Sequence, residues 1–214
     1  MIQIFFKSLL IGYSGAMMPG PLLTYTVDKS IKSGPVTGVL ISIGHSLLEL
    51  VIVILLLSGA GIFLGTEAAQ MVIGFLGGIV LVYFGINMIK DAYQNNISIN
   101  IDAKTKKESR NLIAGGIIVS VSNPYFLFWW AIVGLGLLLS AYTSFGIIGV
   151  ILFYSGHILS DISWYSIISV LVSRTRKFIN QKVYRIVIAI LGACLSGFGI
   201  SFIADSVKLF INLV

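Results

Sequence analysis

"GHSLLE" (Gly44–Glu49) and "GHILSD" (Gly156–Asp161) hold both histidines of a 214-residue chain. Each hexapeptide sits inside an apolar run, "VLISIGHSLLELVIVILLL" in the first case and "GVILFYSGHILSDISWYSIISVLV" in the second. In each, the imidazole and the acid are four residues apart, so they share one helix face. Gly38, Ser42, His45 and Glu49 extend the first face into a small, polar seam. Gly149, Phe153, Gly156, Ser160 and Ser163 trace a second seam beside His157, Asp161 and Trp164. An acidic side chain at the centre of a bilayer costs about 2.5–3.5 kcal/mol on insertion scales, so such residues turn toward a protein interior or pathway. A buried His–acid pair that occurs twice points to a repeated membrane architecture.

Composition agrees. Hydrophobic residues make up 57% of the chain and charged residues only 10%, against roughly 25% charged in soluble domains. The mean hydropathy is +1.01. The net charge of +6 does not indicate nucleic acid, because the basic residues fall between apolar runs and fit lipid headgroups and topology instead. The single cysteine, Cys194, excludes a disulfide framework and a CxxC pair within the chain. Lys7 precedes an apolar stretch with no small-residue cleavage site, so the N-terminus reads as a retained first span.

Six stretches are long enough to cross a bilayer, which takes roughly 20 helical residues. They lie near Ile4–Val27, Val36–Ser58, Ala68–Ile89, Leu112–Leu139, Phe145–Val172 and Tyr184–Ala204, with spans 4 and 5 separated around Ser140–Ser144. The sustained polar stretch is "DAYQNNISINIDAKTKKESRN" (Asp91–Asn111). Lys29, Lys32, Lys90, Lys104, Lys106, Lys107, Arg110, Arg174, Arg176, Lys177, Lys182 and Arg185 fall on one side, leaving Lys7 and Lys208 on the other. The positive-inside rule then places both termini outside and the long loop in the cytoplasm.

The halves match beyond the hexapeptides. Span 1 is interrupted by Pro19-Gly20-Pro21 and span 4 by Asn123-Pro124, while "LGGIVLVYFGI" in span 3 parallels "LGACLSGFGI" in span 6. Three spans per half force the second half to enter from the opposite side. The expected fold is all-α: a polytopic membrane protein of six transmembrane helices arranged as two inverted three-helix repeats. Its parts are a first repeat over 1–90, a cytoplasmic loop over 91–111 and a second repeat over 112–214. Secondary transporters are commonly built this way.

Proline removes a backbone donor and breaks helices, and unsatisfied backbone groups in hydrocarbon cost several kcal/mol unless protein or an aqueous cavity meets them. The breaks therefore belong at a ligand cavity. The half-helix starting near Leu22 presents amides suited to a carboxylate, the carbonyls before it suit an ammonium, and Asn123 adds a polar contact. The competing reading is that these prolines only kink tolerant membrane helices. Pro19, Gly20, Pro21, Asn123, Pro124 and Trp129 are the candidate substrate-binding residues. For Trp129 and Trp130, anchoring at the membrane interface is the stronger alternative.

His45, Glu49, His157 and Asp161 are the candidate proton-coupling residues, since a carboxylate that loads and unloads a proton couples transport to a gradient. Two other readings stay open. Each pair could be a hydrogen-bonded tie between helices, or the four could converge on a divalent cation. Glycine stripes (Gly74, Gly78 and Gly85; Gly192, Ser196 and Gly199) read as close helix packing. Asp28 reads as the ion-pair partner of Lys29 or Lys32, with gating of entry as the alternative.

The run "MMPGPLLTYTVDKSIKSGPVTGVLISIGH" together with "SNPYFLFWW" resembles the lysine exporter (LysE/RhtB-type) translocators over nearly the whole chain. That resemblance implies a six-helix inner-membrane exporter of small metabolites, commonly amino acids, driven by an ion gradient. The GHxxxE and GHxxxD elements depart from the better-known amino-acid exporters and keep divalent cations open. The expected function is proton-coupled secondary export of amino acids or similar zwitterions across the cytoplasmic membrane, with divalent-metal transport as the alternative. No nucleophile–base pair or phosphate-binding glycine loop points to an enzyme, and no cofactor is expected. The expected partners are the small-molecule substrate, protons and membrane lipid, without nucleic acid. A homo-oligomer stays open.

Overall fold

The computed structural model describes residues 1–18, 20–59, 66–93, 106–175 and 181–213. Among these the protein is all-helical. In chain order the helices are α1 (Ile2–Ala16), α2 (Pro21–Ser33), α3 (Thr37–Leu57), α4 (Glu67–Tyr93), α5 (Lys106–Val121), the short α6 (Pro124–Trp129), a π-helical turn (Trp130–Gly134), α7 (Leu135–Thr175) and α8 (Gln181–Leu213).

The distribution of polarity is the reverse of a soluble protein's. Ile54, Ile151, Ile190 and Ile200 are more than half exposed, whereas Asp28, Glu49, His157 and Asp161 are buried. Lipid solvates such an outside, and the interior holds the polar groups. Among the described residues, four helical segments are long and apolar enough to cross a membrane: Thr37–Leu57, Met71–Lys90, Leu135–Thr175 and Arg185–Ile211.

The expected first span is two helices, because Pro21 opens α2 at a position where its missing N–H costs nothing. The expected fourth span is likewise divided into α5, α6, the π-turn and the start of α7. At 41 residues α7 would extend about 60 Å, twice the hydrocarbon thickness. It bends at Phe145 (φ −144°, ψ 20°) and Gly146 (φ 56°, ψ −142°). The separation expected at Ser140–Ser144 is therefore one turn later, because Gly146 accepts a positive φ that side chains resist. Gly34, ending α2 with φ 88°, makes the corresponding corner before α3. The polar stretch 91–111 is helical at its ends, since α4 runs to Tyr93 and α5 begins at Lys106; residues 94–105 lie outside the described ones.

Two helix pairings organise the interior. α4 and α8 run antiparallel: a Cβ on Gly78 would meet the Gly199 carbonyl at 2.6 Å, and one on Gly192 the Gly85 carbonyl at 2.7 Å. The glycine stripes thus bring backbones together, as read from the sequence. α3 and α7 are also antiparallel, with Gly38 against Ser169, Ser42 against Asp161 and Ser46 bonded by Tyr154. Ser169 further ties the α2–α3 corner to α7, donating to the Pro35 carbonyl at 2.9 Å and accepting from Ser30 at 3.0 Å. Asp28 pairs with Lys32 at 2.9 Å and Lys29 at 3.3 Å, as its neighbours led us to expect.

Candidate functional site

A cavity of about 400 Å³ lies between α1, α2, α3, the α5–α6 break and α7. Gly20 and Pro21 from the first break and Asn123 from the second line it, as do Trp129, His45, Glu49, His157 and Asp161. Nine of the ten sequence-derived candidates can be placed. Pro19 lies outside the described residues, and Pro124 is buried at the start of α6 without lining the cavity.

Local chemistry explains how the breaks are built. Gly20 caps α2 in an extended conformation (φ −163°, ψ −175°) and supplies no side-chain oxygen to the helix's first amides. Asn123 does the opposite at α6: its Oδ1 accepts from the Tyr125 amide at 3.2 Å. Its carbonyl oxygen is therefore engaged in capping, and the two breaks are chemically unequal.

The ionisable groups form one network centred on Glu49. Its Oε1 lies 3.0 Å from His157 Nε2, 3.4 Å from His45 Nε2 and 3.3 Å from the Trp130 indole nitrogen. His157 thus bonds the carboxylate of the opposite helix, while its own i+4 partner Asp161 stays 3.8 Å away. The two i,i+4 pairs are thus joined into one network by the His157–Glu49 contact. Glu49 is 1% exposed and Asp161 3%. Three buried acceptor atoms in this cluster have no hydrogen-bond partner among the described residues: Glu49 Oε2, Asp161 Oδ2 and His157 Nδ1.

Proton accounting singles out His45. Ser120 donates its hydroxyl hydrogen to the Gly116 carbonyl at 2.7 Å, so its oxygen accepts from His45 Nδ1–H, also at 2.7 Å. A neutral His45 in that tautomer turns a lone pair toward Glu49, acceptor against acceptor. The contact becomes attractive when a second proton resides on His45 Nε2 or on the carboxyl.

Rings enclose the cluster. Trp129 stacks on His157 (centroids 4.9 Å apart, 29° between planes), and Trp130 meets the same ring edge-on at 5.1 Å. Interface anchoring does not describe Trp130, which is fully buried because its N–H finds Glu49 inside. Sequence reasoning also missed Gly12, Ser120 and Phe126, the last 5.0 Å from the His45 ring. Gly12 and Ser120 each fall within two helical turns before a break, which is the signal that points to them.

As for what the arrangement can do, His45, Glu49 and Asp161 each offer a ligand atom within 4.8 Å of the others, close enough to share one cation. The same acceptors also suit a ligand rich in N–H donors.

The sequence model of the LysE type translocators matches residues 13–206. YcgF of Bacillus subtilis, which bears the provisional name of an amino acid efflux protein, is 25% identical over 211 residues, covering 97% of this chain and 98% of that protein. The chemotactic transduction protein ChpE of Pseudomonas aeruginosa is 24% identical over 197 residues, covering 92% and 96%. No solved structure matches the chain.

Proposed function

Because the chain belongs to the LysE type translocator family, we propose that it is a secondary active exporter of amino acids or similar small zwitterions, coupled to protons. It works in the cytoplasmic membrane as six spans in two inverted repeats, with both termini outside. The observation that carries the reading is the buried Glu49 network in the wall of a cavity that both helix breaks also line.

Each part of the cavity has a task in this mechanism. The uncapped amides at the start of α2, with the helix dipole behind them, receive the substrate carboxylate. Glu49 and Asp161 carry the coupling proton, with His45 and His157 as its neighbours. The His45–Glu49 contact has room for one proton beyond those of a neutral imidazole and an ionised carboxylate, which is what a loading site requires. Trp129 and Phe126 exclude water from the exchange.

Matched contacts support the inverted arrangement over 1–90 and 112–214. Gly44 packs on the Ile113 carbonyl as Gly156 packs on that of Phe5. Gly116 lies under the Ile41 carbonyl as Ser8 bonds that of Phe153. The Gly78–Gly199 and Gly85–Gly192 contacts exchange with each other under the same two-fold operation. The orientation rests on the one-sided distribution of Lys and Arg.

Amino-acid counterflow in proteoliposomes tests the reading. Flux should respond to an imposed pH gradient and should fall in Glu49→Gln and in Asp161→Asn. Unchanged flux in both variants removes them from coupling. The close approach of His45, Glu49 and Asp161 favours a second reading in which a divalent cation is the substrate. Zinc or manganese uptake that disappears in His45→Ala, without any amino-acid counterflow, decides for it.

A further inference from the structure

The two imidazoles occupy matching positions with unlike surroundings. His45 Nδ1 is satisfied by Ser120, whereas His157 Nδ1 has no hydrogen-bond partner among the described residues; a Cβ on Gly12 would press first on Ser160 Oγ and lie 3.0 Å from that nitrogen. Glu49 Oε1 faces both imidazoles and Trp130, whereas Asp161 Oδ2 meets only the distant His157 nitrogen. Glu49 Oε1 is therefore met by protein donors, whereas Glu49 Oε2 and Asp161 Oδ2 have no partner among the described residues. Asp161 has the fewer contacts of the two carboxylates and is part of the cavity wall.

Asp161 Oδ2 is an unmet group of this wall, and a carboxylate, when ionised, is purely an acceptor. Among the described residues, neither lysine nor arginine lines the cavity. Leaving such acceptors unmet at low dielectric is costly, so the matching ligand brings both positive charge and N–H donors. A primary ammonium has three donors and no acceptor.

We propose that Asp161, whose Oδ2 is buried without a partner in the cavity wall, is the binding point for a primary ammonium group on the transported molecule. The assignment rests on the exporter reading and gives it a polarity: the amine lies at Asp161, and Glu49 stays with the histidines. Substrates whose nitrogen is acylated lose both the charge and two of the donors, and are refused.

Thermal-shift measurements on purified protein in lipid nanodiscs test this with the standard primary L-amino acids, the amines left by their decarboxylation, and their N-acetyl forms. Amino acids and amines should raise the melting point of the wild type, while N-acetyl forms leave it unmoved. Asp161→Asn should weaken both responses about tenfold or more. Asp205→Asn, which alters an exposed pair with Lys208, should not.

Amino acids that bind wild type and Asp161→Asn equally overturn the ammonium assignment and leave the exporter reading standing. Amines that bind through Asp161 while zwitterions do not bind keep the assignment and overturn the zwitterion substrate. No response to either overturns both, as does a response to zinc or manganese alone. If Asp161→Asn fails to fold, Asp161→Ser takes its place: undiminished amine affinity there rejects the assignment.

Discussion

The α4–α8 and α3–α7 pairs are both antiparallel and both bring small residues into contact, yet they are built for different ends. Between α4 and α8 the contact is dry, with Gly78, Gly85, Gly192 and Gly199 letting backbone meet backbone. Between α3 and α7 the same closeness confines His45, Glu49, His157 and Asp161 in one cluster. The first pair holds shape through contact alone. The second holds buried charge, which is tolerable only while every partner stays in place. Close packing and buried charge are thus divided between helix pairs, and substitutions should separate them.

The largest effect should come from Glu49→Ala, which leaves two imidazoles and an indole around a void. Removing one member of a buried charge cluster costs about 3–5 kcal/mol, read as a lowered melting point together with lost flux. Glu49→Gln keeps the volume and should lose flux with a smaller thermal penalty. Equal stability of Glu49→Ala and wild type would contradict the division.

Next comes Gly78→Val in the dry pair, where overpacking costs about 1–3 kcal/mol. Melting and yield should fall while flux per folded molecule, and its dependence on amino-acid identity, stay as in wild type. A change of selectivity in this variant would mean that the scaffold shapes the site.

A smaller effect is expected from Tyr154→Phe, which removes the 2.7 Å bond to the Ser46 carbonyl between α3 and α7. The loss should be about 0.5–1.5 kcal/mol by thermal denaturation. Last is Lys208→Ala, whose exposed pair with Asp205 should contribute about 0–1 kcal/mol and vanish in high salt.

The candidate site was largely legible because helical spacing in an apolar run leaves few choices. An acid at i+4 from a histidine inside lipid has to face inward, and His45, Glu49, His157 and Asp161 do. The breaks at Gly20–Pro21 and Asn123–Pro124 were legible for a related reason: proline cannot continue the ladder. Less legible was what each residue touches. Spacing suggested that His157 serves Asp161, but the crossing of α3 and α7 brings Glu49 closer, at 3.0 Å against 3.8 Å. Trp130 looked like an interface anchor, since a tryptophan near a polar segment has that prior; its indole partner lies on another helix.

Chain order and composition by themselves determined that the protein is helical, where its helices break, and which side chains turn inward. Those properties follow from local geometry and from the cost of polar groups in hydrocarbon. Only the tertiary structure decided that one carboxylate gathers both histidines, while Asp161 keeps only the more distant His157 contact. That outcome depends on helix crossings many residues apart, where Glu49 on α3 meets His157 and Trp130, and Ser120 meets His45.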